Sequence, residues 1–99
     1  MRALLQYRAG DVPEADRAAN VAALWAWVDA LAAKPEHVMT LALGEGVTVG
    51  GDGGPGDGDG VFGVSVLEVR DLEAATALTS DWPELSYGGA VDVRPELGR

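Results

Sequence analysis

Four polar residues spread along the chain carry side chains that could bind or convert a small molecule: Arg8, Asn20, Ser65 and Asp81. Arg8 would supply positive charge, Asn20 amide hydrogen bonds and Ser65 a hydroxyl. Asp81 would supply a carboxylate, which can act as a general base. Structural roles are the alternatives, because Arg8 could pair with a surface carboxylate, Ser65 could fill a small core position and Asp81 could end a helix. The predicted fold brings the four near one cleft between helices and sheet.

The three tryptophans are the remaining candidates for a binding surface. Trp25 falls on the apolar stripe of a predicted helix and is expected to pack in the core. Trp27 and Trp82 are expected to form walls of an interface or of the cleft, so Trp82 joins the predicted ligand-binding residues. An aromatic platform without basic neighbours is a poor signal for nucleic-acid binding.

Metal and cofactor motifs are weak in this sequence. The stretch 51–56 matches G-x-G-x-x-G, but a strand follows it where a dinucleotide site needs a helix. The acidic residues at 52, 57 and 59 lack the ligand spacing of a calcium loop. The chain has no cysteine and one histidine, His37, which is expected to be exposed or at a strand edge. We therefore predict no metal site and no cofactor.

Composition narrows the class of protein further. The chain has 99 residues, 47% of them apolar, which suits one domain with a real core. Sixteen acidic and seven basic residues give a net charge of -9, which disfavours nucleic acid as a partner. No apolar run reaches the roughly 20 residues that span a bilayer. The start of the chain lacks the pattern of a signal peptide, so we expect a cytoplasmic protein without membrane contact.

The spacing of apolar residues predicts the elements that would position these side chains. We expect strands over 1–8, 37–49, 61–69 and 90–93, helices over 13–34 and 72–79, and a mobile loop over 50–60. A bulge or bend is expected at Gly44 and Gly46, and Asp71 is a predicted helix N-cap. The βαββαβ order is that of the ferredoxin-like α+β fold, a four-stranded antiparallel sheet with two helices on one face.

The face of the sheet without helices predicts a partner. The strand over 61–69 is apolar on both faces, whereas a sheet facing water alternates cleanly. Further apolar residues on the other strands are Leu4, Leu5, Leu41, Leu43, Val91 and Val93. Large uncovered apolar patches mark interfaces, so we expect a homodimer with its two sheets packed face to face. Short strands that blur the alternation are the alternative explanation.

The tail from Pro83 to Pro95 (PELSYGGAVDVRP), with Tyr7-Arg8 and the tryptophan-containing helix, resembles the YCII-related proteins, especially their DGPF-like subgroup. The resemblance implies that residues 1–99 form a single dimeric α+β barrel domain. The Asp-Gly-Pro-Phe signature of the subgroup is absent. The histidine that catalytic members carry on the first helix corresponds to Asn20, and their aspartate corresponds to Asp81.

Three functions remain open at this point. The first is binding of a small organic ligand in the helix-sheet cleft. The second, implied by the resemblance, is a YCII-type enzyme doing acid-base chemistry on a small organic substrate, with Asp81 as base and Asn20 or Arg8 orienting the substrate. The third, also implied by the resemblance, is a protein-interaction module linked to transcription regulation, which a cleft filled by side chains would favour.

Overall fold

A four-stranded sheet organises the computed structural model, which describes residues 1–51, 54–56 and 60–98. Its strands are β1 (Arg2–Arg8), β2 (His37–Ala42), β5 (Val61–Glu68) and β6 (Ala90–Pro95), in the order β2-β5-β1-β6. A separate two-stranded ribbon pairs β3 (Gly46–Thr48) with β4 (Gly54–Gly56). The helices are α1 (Arg17–Ala32) and α2 (Leu72–Ala77), with short 3-10 helices at Glu14–Asp16 and Pro83–Tyr87.

The topology confirms the ferredoxin-like α+β prediction. All three neighbouring strand pairs of the four-stranded sheet are antiparallel. Each main helix connects two strands that run in the same direction but are separated by a third strand, because β5 lies between β1 and β2 and β1 lies between β5 and β6. The N-cap prediction is also confirmed, since the Asp71 carboxylate accepts a hydrogen bond of 2.8 Å from the backbone N–H of Ala74.

Several predicted boundaries were wrong. The expected strand over 37–49 ends at Ala42 and resumes as β3 after Gly44, because this glycine-containing segment turns away from the large sheet. Helix α1 begins at Arg17 rather than at Pro13, after a 3-10 turn. Of the predicted mobile loop, Gly54–Gly56 is a strand, while residues 52, 53 and 57–59 lie outside the described residues.

Helix α1 packs on the sheet with a face rotated from the predicted stripe, with which it shares Leu24 and Leu31. Asn20 and Leu31 are buried, and Leu24 and Trp27 pack against the core, so the covered row has spacings of four, three and four residues. Trp25 is 56% exposed, so its assignment to the core was wrong. The helix is apolar on nearly every side, and only its fit against the sheet selects the buried row.

The core lies between the helices and one face of the sheet. Ala3, Leu5 and Tyr7 of β1 form its centre, each at most 3% exposed. Leu67 of β5 and Trp82, which precedes the second 3-10 helix, complete it. Val91 and Val93 also pack on this side, which removes both of them and Leu5 from the predicted open apolar face.

Among the described residues, no helix covers the opposite face of the sheet, and this face has an apolar part and a charged part. Strand register places five apolar residues on it, all near β2 and β5: Leu4, Met39, Leu41, Val64 and Val66. Toward β6 the same face is charged, and Arg8 forms a 2.9 Å ion pair with Asp92. The molecule is a slab of 36 × 36 × 19 Å, as expected for one sheet with helices on one side only. The apolar area is therefore narrower than the sequence indicated.

Candidate functional site

A cleft opens between α1 and the β2–β5 side of the sheet, with a cavity of about 180 Å³. Four aromatic residues contribute to its lining: Tyr7, Trp25, Phe62 and Trp82. Val21, Leu24 and Val28 of α1 form the opposite wall. Trp25 is thus exposed because it stands at the rim of this cleft. No side chain of the described residues fills the cleft.

Aromatic rings pack against one another along the inner wall of the cleft. The Tyr7 and Trp82 rings stack with centroids 5.3 Å apart, and Phe62 lies 5.9 Å from Trp82. Trp27 meets Tyr7 edge to face from the core side, at 5.8 Å. Gly63 keeps the space beside Tyr7 open, because a Cβ there would stand 3.2 Å from the Tyr7 ring and 3.3 Å from the Leu41 carbonyl oxygen. Such a wall suits the flat face of a ring.

A chain of hydroxyl groups runs along the sheet beneath the cleft. Tyr7 Oη lies 2.7 Å from Ser65 Oγ, which lies 2.6 Å from Thr40 Oγ1. Thr40 Oγ1 in turn lies 2.8 Å from Nε2 of His37. Tyr7 and Thr40 both line the cleft. Burial raises the pKa of the Tyr7 phenol, and the hydrogen bond with Ser65 opposes part of that rise.

Sequence reasoning missed this row of hydroxyl groups because simple alternation places His37 and Thr40 on opposite faces of β2. A register shift between His37 and Met39 restores His37 to the helix side, opposite Leu67. Thr40 pairs directly with Ser65 across the strands, and Ser65 is fully buried. The signal that could have revealed these hydroxyl groups was the presence of polar residues at core-facing positions of otherwise apolar strands.

A second buried polar cluster holds Asn20. Its Nδ2 donates to Glu84 Oε1 at 2.7 Å, and the backbone N–H of Gly10 donates to Glu84 Oε2 at 2.8 Å. Glu84 is 5% exposed and Asn20 is 7% exposed. Sequence reasoning did not single out Glu84, which lies in the short 3-10 helix after Trp82. The cluster links α1 to the segment at Gly10 and to the 3-10 helix at Pro83–Tyr87.

The structure does not gather the predicted site residues at one cleft. Arg8 is engaged with Asp92 on the open face of the sheet, and Asp81 accepts a 2.9 Å hydrogen bond from the Trp27 indole near the molecular surface. Asp81 belongs to a separate notch that also includes Lys34 and Ser80. Only Ser65, through its two hydroxyl partners, and Trp82, in the wall, belong to the cleft. Arg8, Asn20, Ser65 and Asp81 therefore do not meet at this cleft as expected, because Arg8 lies on the other face of the sheet, Asn20 is bound to Glu84 and Asp81 lies in a separate notch. Their roles in binding or catalysis stay predictions.

The described part of the fold also bears on metal binding and membrane crossing. Across residues 1–51, 54–56 and 60–98, no three histidine, aspartate or glutamate side chains are grouped so that they could hold a metal ion. In the same part of the chain, no helix combines the length and apolar character needed to cross a membrane.

Comparison with known proteins supports the architecture. No family model matches the chain, and no curated protein matches it in sequence. Among solved structures, it is similar to the 5-chloro-2-hydroxyhydroquinone dehydrochlorinase from Burkholderia phenoliruptrix, in complex with 2,5-dihydroxybenzoquinone. The TM-score is 0.56 at 23% identity, and the match covers 98% of this chain and 94% of that chain. The likeness therefore shows a shared fold over the whole chain.

Proposed function

We propose that this protein binds a small, flat and largely apolar organic molecule in the cleft between α1 and the sheet. The observation that carries the proposal is the open cavity of about 180 Å³ walled by aromatic rings. A site of this kind, mostly apolar with few polar groups, is typical of small-molecule binding. A cleft blocked by side chains would have favoured the protein-interaction module instead.

The size of the cavity points to a single ring. An apolar cavity of about 150 Å³ binds benzene in a protein interior. The ring stack of Tyr7 and Trp82 offers a flat wall against which such a ring could lie. The dehydrochlorinase with the same fold is in complex with a six-membered ring compound, 2,5-dihydroxybenzoquinone, and this supports a ligand of similar size here.

Ligand binding can be tested with phenol and acetophenone as probes, read by the fluorescence of Trp25 and Trp82. We expect saturable quenching in the unmodified protein and its loss in Ala42→Leu, which fills the cleft from β2. Ala22→Leu adds the same volume on the exposed side of α1, outside the cleft, and should bind normally. Absence of saturable binding in the unmodified protein, or equal binding by both variants, would overturn the proposal.

We also propose that two copies pack through the open face of the sheet. The proposal is supported by the apolar area of Leu4, Met39, Leu41, Val64 and Val66, of which Met39 and Leu41 are 48% and 51% exposed. Exposed apolar side chains grouped on a flat face favour a self-complementary contact. Sedimentation should give twice the monomer mass, and Val64→Glu should give a monomer. Val47→Glu, a control on the separate ribbon, should stay dimeric, and a monomeric unmodified protein would refute the proposal.

A second candidate function is an enzyme of the YCII type. It is favoured by the full-length likeness to an enzyme, the dehydrochlorinase. The resemblance assigns the base to Asp81 and substrate orientation to Asn20 or Arg8. Because Arg8 and Asn20 are engaged elsewhere, only Asp81 is kept in this version, as a base in its own notch beside Lys34 and Ser80. Asp81→Asn keeps an oxygen that can accept from the Trp27 indole but removes the charge. It should therefore abolish any turnover without unfolding the protein, and unchanged turnover would exclude Asp81 as the base.

Kinship with the YCII-related proteins belongs to the same proposal. The ferredoxin-like fold that this resemblance implies is present along the chain, which supports a distant relationship. Assignment to the DGPF-like subgroup rests on the tail from Pro83 to Pro95 alone. In this chain Asn20 occupies the position of the family's helix histidine and donates to Glu84, so any acid-base chemistry would need another proton carrier.

A further inference from the structure

Strand β2 is an open edge of the four-stranded sheet, because it pairs with β5 on one side only. The Leu43 N–H donates to the Phe62 carbonyl oxygen at 3.0 Å, and the register between the two strands is continuous from Met39 onward. Backbone groups alternate in direction along an antiparallel strand, so the N–H and C=O groups of Thr40 and Ala42 point away from β5. Among the described residues, no other backbone group bonds to them. The edge therefore offers two donors and two acceptors to an added strand.

The two edges of the sheet differ in how they are protected. Charged side chains and proline on an edge strand discourage pairing with another chain. The edge strand β6 carries Asp92, Arg94 and Pro95. The edge strand β2 has no proline, and after His37 it has no ionisable side chain. The edge at β2 is thus the one that can accept a further strand.

The cleft lies between this edge and α1. Val21, Trp25 and Val28 of α1 line it together with Thr40 and Ala42 of β2. Val21 and Trp25 are 50% and 56% exposed, although both are apolar. Thr40 pairs with a fully buried serine of β5, which places its side chain on the helix side of the sheet. An antiparallel strand added to β2 would direct every second side chain to that same side, toward the apolar residues of α1.

The charge around the cleft indicates what such a strand should carry. Residues 18–28 of α1 and 38–43 along β2 include no charged side chain. Carboxylates outnumber basic groups at both ends of the cleft: Asp16, Arg17 and Glu45 at one end, and Asp29, Lys34 and Glu36 at the other. An apolar centre with basic flanks matches this distribution.

The proposed ligand-binding function is the basis for the next step. We propose that the ring bound in the cleft is an aromatic side chain of an extended peptide, which adds an antiparallel strand to the edge of β2. Apolar side chains two residues away on the peptide lie against Val21 and Val28, and lysine or arginine on its flanks meets the carboxylates. In this mode of recognition the main-chain hydrogen bonds provide affinity and the alternate side chains provide specificity.

The probe is the acetylated and amidated peptide Lys-Thr-Val-Thr-Phe-Thr-Val-Thr-Lys, in which the Val and Phe side chains share one face. Trp25 fluorescence should show saturable binding, and the peptide should displace acetophenone. Methylation of the Phe nitrogen and one Val nitrogen, which face β2, should weaken binding at least about 10-fold. The matched control carries the same two methyl groups on its central Thr nitrogens, which face away from β2, and should bind like the parent peptide.

Two further peptides test the side chains. Replacement of Phe by Ser removes the ring and should weaken binding by about 10- to 100-fold. Replacement of both Lys residues by Glu should weaken it by about 3- to 10-fold at low ionic strength. Equal binding of the Phe and Ser peptides would overturn the proposal, because the cleft would then not hold the ring.

Amide hydrogen exchange measured by NMR locates the contact on the protein. In the free protein the N–H groups of Thr40 and Ala42 should exchange fast, and those of Leu41 and Leu43, which face β5, should exchange slowly. Saturating peptide should slow exchange at Thr40 and Ala42 at least about 10-fold. Unchanged exchange at these two residues, or equal binding of the two methylated peptides, overturns the proposal.

Other outcomes identify a different occupant or a different failure. Slow exchange at Thr40 and Ala42 in the free protein that becomes faster on dilution would show that a second copy occupies the edge, and would overturn the proposal. If acetophenone binds and the peptide does not, this inference fails while the ligand-binding function stands. If neither acetophenone nor phenol binds, the ligand-binding function itself fails.

Discussion

Two buried polar clusters flank the core, and they differ in what their hydrogen bonds can do. Glu84 is a carboxylate that accepts from two N–H groups, those of Asn20 and Gly10, so every donor and acceptor role is fixed. The cluster of Tyr7, Ser65 and Thr40 consists of hydroxyls, each of which can donate or accept. The first cluster therefore suits a structural clamp. In the second, which borders the cleft, the direction of each hydrogen bond can reverse.

The largest expected effect concerns the carboxylate clamp. Glu84→Leu leaves the Asn20 amide and the Gly10 N–H buried without their acceptor, which should lower the free energy of unfolding by about 2–4 kcal/mol. Urea denaturation measures this loss. Glu45→Leu, at an exposed position, serves as the control and should change stability by less than about 0.5 kcal/mol. A loss at Glu84 no larger than that of the control would show that the cluster is not a clamp.

Ser65→Ala should have a smaller effect on stability. Tyr7 and Thr40 lose a partner, but hydroxyl groups can turn toward other acceptors, so we expect a loss of about 1–2 kcal/mol in urea denaturation. A loss of stability greater than that of Glu84→Leu would show that the hydroxyl groups, and not Glu84, form the structural clamp.

The pH dependence of the free energy of unfolding provides a third comparison, which tests the buried phenol of Tyr7. Burial raises the pKa of the folded Tyr7 phenol, so at high pH the unfolded chain loses a proton that the folded one keeps. The stabilisation is complete below the ordinary tyrosine pKa of about 10 and is lost as pH rises through the raised value. Tyr7→Phe should therefore lose less stability between about pH 8 and about pH 11 than the unmodified protein. Tyr87→Phe is the control, and equal alkaline losses in both variants would contradict the assignment.

The smallest effect should come from the exposed link between Asp81 and Trp27. Asp81→Ala removes one hydrogen bond of 2.9 Å near the surface, where water can replace the lost partner. We expect a loss of about 0.5–1 kcal/mol, read from the urea midpoint. A loss as large as that of Glu84→Leu would show that Asp81 belongs with the buried clusters.

The candidate site was only partly predictable, and α1 shows why. Its sequence is apolar on almost all sides, so periodicity does not decide whether Trp25 or Trp27 faces the core. The sheet decides, because Tyr7 receives the edge of Trp27 and leaves Trp25 at the rim of the cleft. His37 posed a similar difficulty, since one register shift in β2 changes the face on which it lies.

The sequence by itself determined the βαββαβ order of the main elements, the antiparallel α+β class and the Asp71 cap, because these follow from apolar spacing and local hydrogen bonding, whereas the β3–β4 ribbon was not predicted. Tertiary structure decided which polar side chains meet. Glu84 reaches Asn20, and Ser65 reaches Tyr7, across more than fifty residues of sequence. Such contacts depend on strand register and helix rotation, which are fixed only when the whole core packs.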